Sequence, residues 1–76
     1  MQPSQLDGLD TFARVAEYKS FSRAAEAIGA SKAHVSRQIT RLEARLGVQL
    51  FRRSTRSVVL TTQGEMFYLR VRDSLA

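Results

Sequence analysis

Seventy-six residues make one small domain with a thin core, because a chain of this size buries only about 60–65% of its unfolded surface. The composition is ordinary for a globular domain, 43% hydrophobic and 25% charged. The absence of cysteine and the single histidine, His34, exclude a disulfide framework, a thiolate metal site and a histidine metal cluster.

The net charge of +5 is unevenly spread. Between residues 31 and 56, Lys32, Arg37, Arg41, Arg45, Arg52, Arg53 and Arg56 face Glu43 alone, while the flanking stretches are close to neutral. A field concentrated in this way favours a polyanion such as nucleic acid, although a basic stretch is also compatible with a merely solvated face. No apolar run approaches the ~18 residues of a membrane span. The opening MQPSQLDGLD lacks the basic and apolar regions of a signal peptide, so the expected location is the cytoplasm and no membrane partner is expected.

Leu6, Leu9, Phe12, Ala13 and Ala16 recur at helical spacing and predict a first helix over about 4–18, with Ser4 and Asp7 in the capping-box pattern. Tyr18-Lys19-Ser20 interrupts it. Phe21 ahead of Ser22 reads as an apolar residue before an N-cap, opening a short second helix over about 22–28 that carries Ala24, Ala25, Ala27 and Ile28. Gly29 ends that helix, and Ser31 is a good N-cap for a third over about 32–46. Two helices joined by a three-residue turn with a glycine form the helix-turn-helix signature. Val35, Ile39, Leu42 and Leu46 give the third helix its core stripe, and Gly47 stops it.

The period then changes. Residues 49–52 and 57–60 predict two short strands around a polar loop, Arg53 to Ser57, making a hairpin or wing. Thr61 or Thr62 caps a fourth helix whose Met66, Phe67, Leu69, Val71 and Leu75 form a broad apolar surface. The expected fold is therefore mainly α: a three-helix core with a β-hairpin wing, a winged helix-turn-helix, followed by one more helix.

Projected at ~100° per residue, the third helix turns Ala33, Arg37, Thr40 and Ala44 away from its core stripe, flanked by Ser36 and Arg41. Small residues let a helix backbone approach base edges in the major groove, and an arginine there can pair bidentately with guanine. The N-terminal turn usually makes the base contacts in this motif, which nominates Lys32, Ala33, Ser36 and Arg37. Ser31 sits where free N–H groups suit a phosphate. Arg52, Arg53 and Arg56, with Ser54 and Thr55, suit phosphate or a narrow minor groove; charge that protects an edge strand is the alternative reading. His34 reads as a solvated residue or phosphate contact, and Glu43 as a structural partner for an arginine. The aromatic residues Tyr18, Phe21, Phe51, Phe67 and Tyr68 read as core or interface packing. No nucleophile–base pair, glycine-rich phosphate loop or metal-ligand spacing appears, so neither enzyme activity nor a cofactor is expected. An RNA-binding module and a protein-interaction domain acting through the fourth helix remain as alternatives to duplex DNA.

Ser20-Phe21-Ser22-Arg23-Ala24-Ala25, the stretch from Ser31 to Glu43, Leu46-Gly47, Leu50-Phe51-Arg52-Arg53, Arg56, and Leu60-Thr61 with Gly64 together resemble the N-terminal DNA-binding domain of LysR-type transcriptional regulators. The resemblance spans essentially the whole chain. It implies a winged helix-turn-helix over 1–61 and the start of a linker helix over 62–76, with a C-terminal effector domain lying outside this sequence. It further implies a homodimer formed through the linker helix by Met66, Phe67, Leu69, Val71 and Leu75, and a tetramer in the full-length protein. The DNA target it implies is an inverted-repeat operator, and the inducer it implies is a small molecule acting through the C-terminal domain. By similarity, Lys32, Ala33, Ser36 and Arg37 fall at base contacts. Ser22, Arg23, Ser31, Arg53 and Arg56 likewise fall at the DNA backbone or minor groove, and His34, Thr40, Arg41 and Thr55 beside them are further candidates for the same contacts. Lys32 and His34 depart from the glutamine and alanine common in the family, and lysine favours guanine or phosphate over adenine.

Overall fold

The computed structural model describes residues 3–54 and 57–75, and the side chains of 8–54 and 57–73. In chain order it contains α1 (Pro3–Tyr18), α2 (Phe21–Ile28), α3 (Lys32–Leu46), β1 (Phe51–Arg53), β2 (Val58–Leu60) and α4 (Thr62–Leu75). The strands form an antiparallel hairpin in the register Phe51–Leu60, Arg52–Val59 and Arg53–Val58. This is the winged helix-turn-helix the periodicities predict. The strands are shorter than expected, and Ser4 already lies inside α1 rather than capping it.

One core joins all the helices and the wing. Phe12, Val15, Val35, Ile39, Leu50 and Phe51 are its largest fully buried side chains. Phe12 stands at its centre, with ring centroids 5.3 Å from Phe51 and 5.2 Å from Phe67. Tilted aromatic pairs of this kind add about 0.5–1.5 kcal/mol each beyond their buried area. Ala24 and Ala25 are buried, and their small side chains let α2 pack closely against its neighbours. Thr11 on α1 donates its hydroxyl to Gln38 Oε1 on α3 at 2.5 Å, so the buried hydroxyl is satisfied.

Three helices end on a residue in the left-handed region. After α2, Gly29 has φ 71°, and Ala30 N–H closes back on the Ala25 carbonyl at 2.9 Å. After α3, Gly47 has φ 72°, and its N–H donates to the Glu43 carbonyl at 2.8 Å. After α1 the residue is Lys19, with φ 53° and its N–H on the Val15 carbonyl at 2.8 Å. Glycine adopts this backbone freely, whereas a residue with a Cβ is disfavoured there by about 1–2 kcal/mol.

Several sequence expectations need correction. The cap of α2 is Ser20, whose Oγ accepts from Arg23 N–H at 3.1 Å; Phe21 is helical and Ser22 lies in the first turn. Both serines are chemically suitable, and Ser20 holds the cap while Phe21, the first helical residue, is buried. Thr61 caps α4, its Oγ1 accepting from Gly64 N–H at 2.9 Å and donating to the Gln49 carbonyl at 2.6 Å. Leu46 does not complete the α3 core stripe; it is 42% exposed, because α3 ends there with no element covering it. Tyr18 is also exposed.

On α4, two of the residues assigned to a dimer face inward. Val71 is 3% exposed within the core, and Phe67 packs against Phe12 with its ring tilted. The change at residue 61 is therefore one of secondary structure, not of packing, because α4 shares the core of α1. Met66 and Leu69 remain outside at 60% and 49% exposure, and the side chain of Leu75 lies outside the described residues.

Gly64 explains how closely α4 approaches the wing. A Cβ placed there would lie 2.0 Å from the Leu50 carbonyl oxygen and 3.0 Å from its carbon. Only glycine permits this contact, which sits where Thr61 N–H also donates to the Leu50 carbonyl at 2.9 Å.

Candidate nucleic-acid interface

Ser31 caps α3, its Oγ accepting from His34 N–H at 3.0 Å. The Ser31 carbonyl receives Val35 N–H at 3.1 Å, and of the first turn the N–H groups of Lys32 and Ala33 remain at the positive end of the helix dipole. Lys32, Ala33, His34, Arg37, Thr40 and Arg41 are all exposed, and Ser36 is half-buried. The outer face of α3 therefore carries the predicted base-contact residues together. Ser22 and Arg23 are exposed on the first turn of α2.

The start of α2, the start of α3 and the wing enclose a cleft of about 370 Å³. Its walls include Ser20 and Ser22 from α2, Lys32 and Ser36 from α3, and Arg53 with Ser57 from the wing. Lys19 borders it too. The lining holds three cations and no carboxylate, a combination suited to an anion. Sequence reasoning reached Ser22, Lys32, Ser36 and Arg53. It missed Lys19 and Ser20, whose signal lies only in the backbone turn between α1 and α2.

Arg53 differs from the other cations. Its Nη2 donates to Glu43 Oε1 at 3.4 Å, and its guanidinium carbon stands 4.7 Å from the centroid of the Phe21 ring. Glu43 thus ties the three elements together. Its Oε2 accepts from Leu50 N–H at 2.8 Å and Phe51 N–H at 3.3 Å, while the arginine it holds lies on α2's first residue. The expected structural role of Glu43 beside an arginine is what the contacts give. Among the described residues, Arg23, Lys32, Arg37, Arg41, Arg45 and Arg52 make no ion pair. The wing turn closes through Ser54 N–H on the Ser57 carbonyl at 2.9 Å. Thr55 and Arg56, both assigned to DNA contact from the sequence, lie outside the described residues.

Among the described residues no group of three His, Cys, Asp or Glu side chains is placed to hold a metal ion. No helix among them is long and apolar enough to cross a membrane.

Residues 6–65 match the family of bacterial regulatory helix-turn-helix proteins of the lysR type. The chain belongs to the LysR family. It is similar to the HTH-type transcriptional regulator PtxR of Pseudomonas aeruginosa, 51% identical over 63 residues, which cover 83% of this chain and 20% of that protein. It is also similar to the HTH-type regulator YhjC of Escherichia coli K12, 46% identical over 72 residues, covering 95% of this chain and 24% of that protein. The chain thus spans 20–24% of the length of these curated relatives.

Among solved structures, the CbnR DNA-binding domain in complex with DNA superposes with a TM-score of 0.89 at 36% identity, covering 99% of this chain and 83% of that one. The BenM DNA-binding domain on its benA site 1 DNA gives 0.89 at 37% identity, covering 99% and 81%. In fold and in sequence the chain is the helix-turn-helix domain of a LysR-type regulator.

Proposed function

We propose that this LysR-type domain binds double-stranded DNA sequence-specifically, with α3 in the major groove and the wing, residues 52–57, at the minor groove or backbone. The observation that carries the reading is the partnerless cationic face of α3, set beside a carboxylate-free cleft between two helix N-termini and the wing. Protein cations that have no internal partner are available to displace the counterions of a duplex. The CbnR and BenM domains with the same fold are described as DNA complexes, which supports the same partner here.

Lys32, Ala33, Ser36 and Arg37 are the proposed base readers. Ser22, Arg23, Ser31, His34, Thr40, Arg41, Arg53, Thr55 and Arg56 are the proposed backbone or minor-groove contacts. Arg53 would reach DNA with a guanidinium already oriented by Glu43, so its contact is pre-ordered.

A homodimer through α4 completes the reading. Met66 and Leu69 are exposed on α4, and Leu46 and Val48 are exposed beside it, so an apolar strip is available outside the core. A dimer places two recognition helices on an inverted repeat with half-sites about one helical turn apart, or a multiple of that. A tetramer and control by a small-molecule inducer are the remaining parts of the proposal, and they concern a full-length regulator, of which a domain like this one makes up 20–24% in the relatives. Cytoplasmic location at the nucleoid and the absence of catalytic activity follow from the same reading.

Selection of bound duplexes from a random pool tests it. Enrichment of a dyad-symmetric motif is expected. A selected pool without symmetry would remove the dimer, and one without any enriched sequence would remove specific readout.

A further inference from the structure

Lys19 departs from the way this fold ends its other helices. Gly29 and Gly47 supply the left-handed residue after α2 and α3, while Lys19 supplies it after α1 at φ 53°. The backbone there gains nothing from a side chain. Lys19 N–H makes the same kind of closing bond, to the Val15 carbonyl, that glycine makes elsewhere. The side chain is exposed and has no ion pair or hydrogen bond among the described residues. Its other side borders a second groove with Glu65, but the two do not form an ion pair.

What Lys19 does adjoin is the anion-suited cleft. There it stands with Lys32 and Arg53, together with the hydroxyls of Ser20, Ser22, Ser36 and Ser57. The three cations come from three separate parts of the chain: the α1–α2 turn, the first turn of α3 and strand β1. Arg53 is held in place by Glu43 and Phe21, whereas Lys19 and Lys32 are unpaired. Three cations bordering one cleft raise its positive potential, and a phosphodiester is the anion a duplex would bring there.

We propose that Lys19 is a DNA-backbone contact, forming with Arg53 a seat for one phosphate in the cleft that the base reader Lys32 also borders. The proposal rests on the duplex-binding reading. It assigns to a turn residue outside both the recognition helix and the wing a share of the affinity that is independent of sequence.

The test compares wild type with Lys19→Gly, Lys19→Gln and Lys19→Arg in this chain, by duplex binding across a salt series and by thermal unfolding. Both a selected operator and a random duplex are used. Lys19→Gly and Lys19→Gln should weaken both duplexes alike, by roughly fivefold near physiological salt, and flatten the plot of log K against log salt by about one unit. Lys19→Arg should keep the wild-type slope. Lys19→Gly should at the same time leave the melting temperature unchanged or raise it, so lost binding cannot be ascribed to unfolding. If wild type binds duplexes with a steep salt slope and Lys19→Gly keeps that slope, the seat is overturned and the duplex reading stands. A wild-type chain with no salt-dependent duplex binding overturns both.

Discussion

The two ends of α3 differ in almost every physical respect. At the C-terminal end, Glu43 is 15% exposed in its side chain and receives two backbone N–H groups and an arginine. A few residues on, the backbone of Leu50 lies too close to Gly64 to admit a Cβ. At the N-terminal end, Lys32, His34 and Arg37 are exposed and have no side-chain partners, and only the cap at Ser31 is internally bonded. One end is a joint that fixes the wing. The other is an open surface whose charges await an external anion. The same helix therefore supplies rigidity at one end and unspent polar capacity at the other, so substitutions at the two ends should separate stability from binding.

The largest effect is expected at the joint. Gly64→Ala drives a methyl into the Leu50 carbonyl, and neither backbone can yield without moving α4 or the wing. Overpacking of this severity costs about 3 kcal/mol, which lowers Tm by roughly 12 °C or more in a domain of this size. Thermal unfolding checks it; a Tm within about 4 °C of wild type would mean that α4 can shift freely.

Glu43 comes next. Glu43→Ala leaves the N–H groups of Leu50 and Phe51 without their acceptor and releases Arg53, for a loss of about 2–3 kcal/mol. Glu43→Gln keeps an oxygen for the two N–H groups and removes only the ion pair with Arg53, whose own side chain is 37% exposed. That loss should stay below about 1 kcal/mol. Equal destabilisation by the two variants would show that charge, not backbone capping, makes the joint.

How legible these two ends were follows from the range of the interactions. Periodicity and local chemistry found α3 at its observed bounds, with Ser31 before it and Gly47 after it, because helix, cap and stop are set by neighbours in sequence. The exposed face followed from the same 100° projection. What escaped was set by contacts between distant elements. Leu46 satisfies the helical stripe, yet nothing packs over it. Glu43 reads as the partner of an arginine, but that the arginine is Arg53, ten residues on, appears only once β1 lies beside α3. Gly64 inside a helix reads as a weak helix former until the Leu50 carbonyl is seen beneath it. The cleft itself needs three elements in register. Val71, placed on a dimer interface by the family resemblance, turns inward because α4 packs on α1.

At the open end, Arg37→Ala removes an exposed side chain with no internal partner, so stability should change by no more than the ~0.5 kcal/mol typical of surface sites. Discrimination at one base position should fall by about 1–3 kcal/mol while binding to random duplexes is little altered. Equal losses on selected and random DNA would reassign Arg37 to the backbone. In that case the open end would supply affinity without readout.

Ser31 is where the contrast can be tested within a single residue, because it caps α3 and also stands at the open end. Ser31→Ala removes the acceptor for His34 N–H and should cost about 1 kcal/mol of stability, a modest drop in Tm. Ser31→Asp restores a cap acceptor and adds a negative charge that favours the helix dipole, so Tm should return to wild type or exceed it. That same carboxylate would face an approaching phosphate, so duplex affinity should be lower for Ser31→Asp than for Ser31→Ala. Stability and binding would then rank the two variants in opposite orders. If instead affinity follows Tm across the pair, Ser31 acts on DNA only through the integrity of α3, and the phosphate contact assigned to it falls.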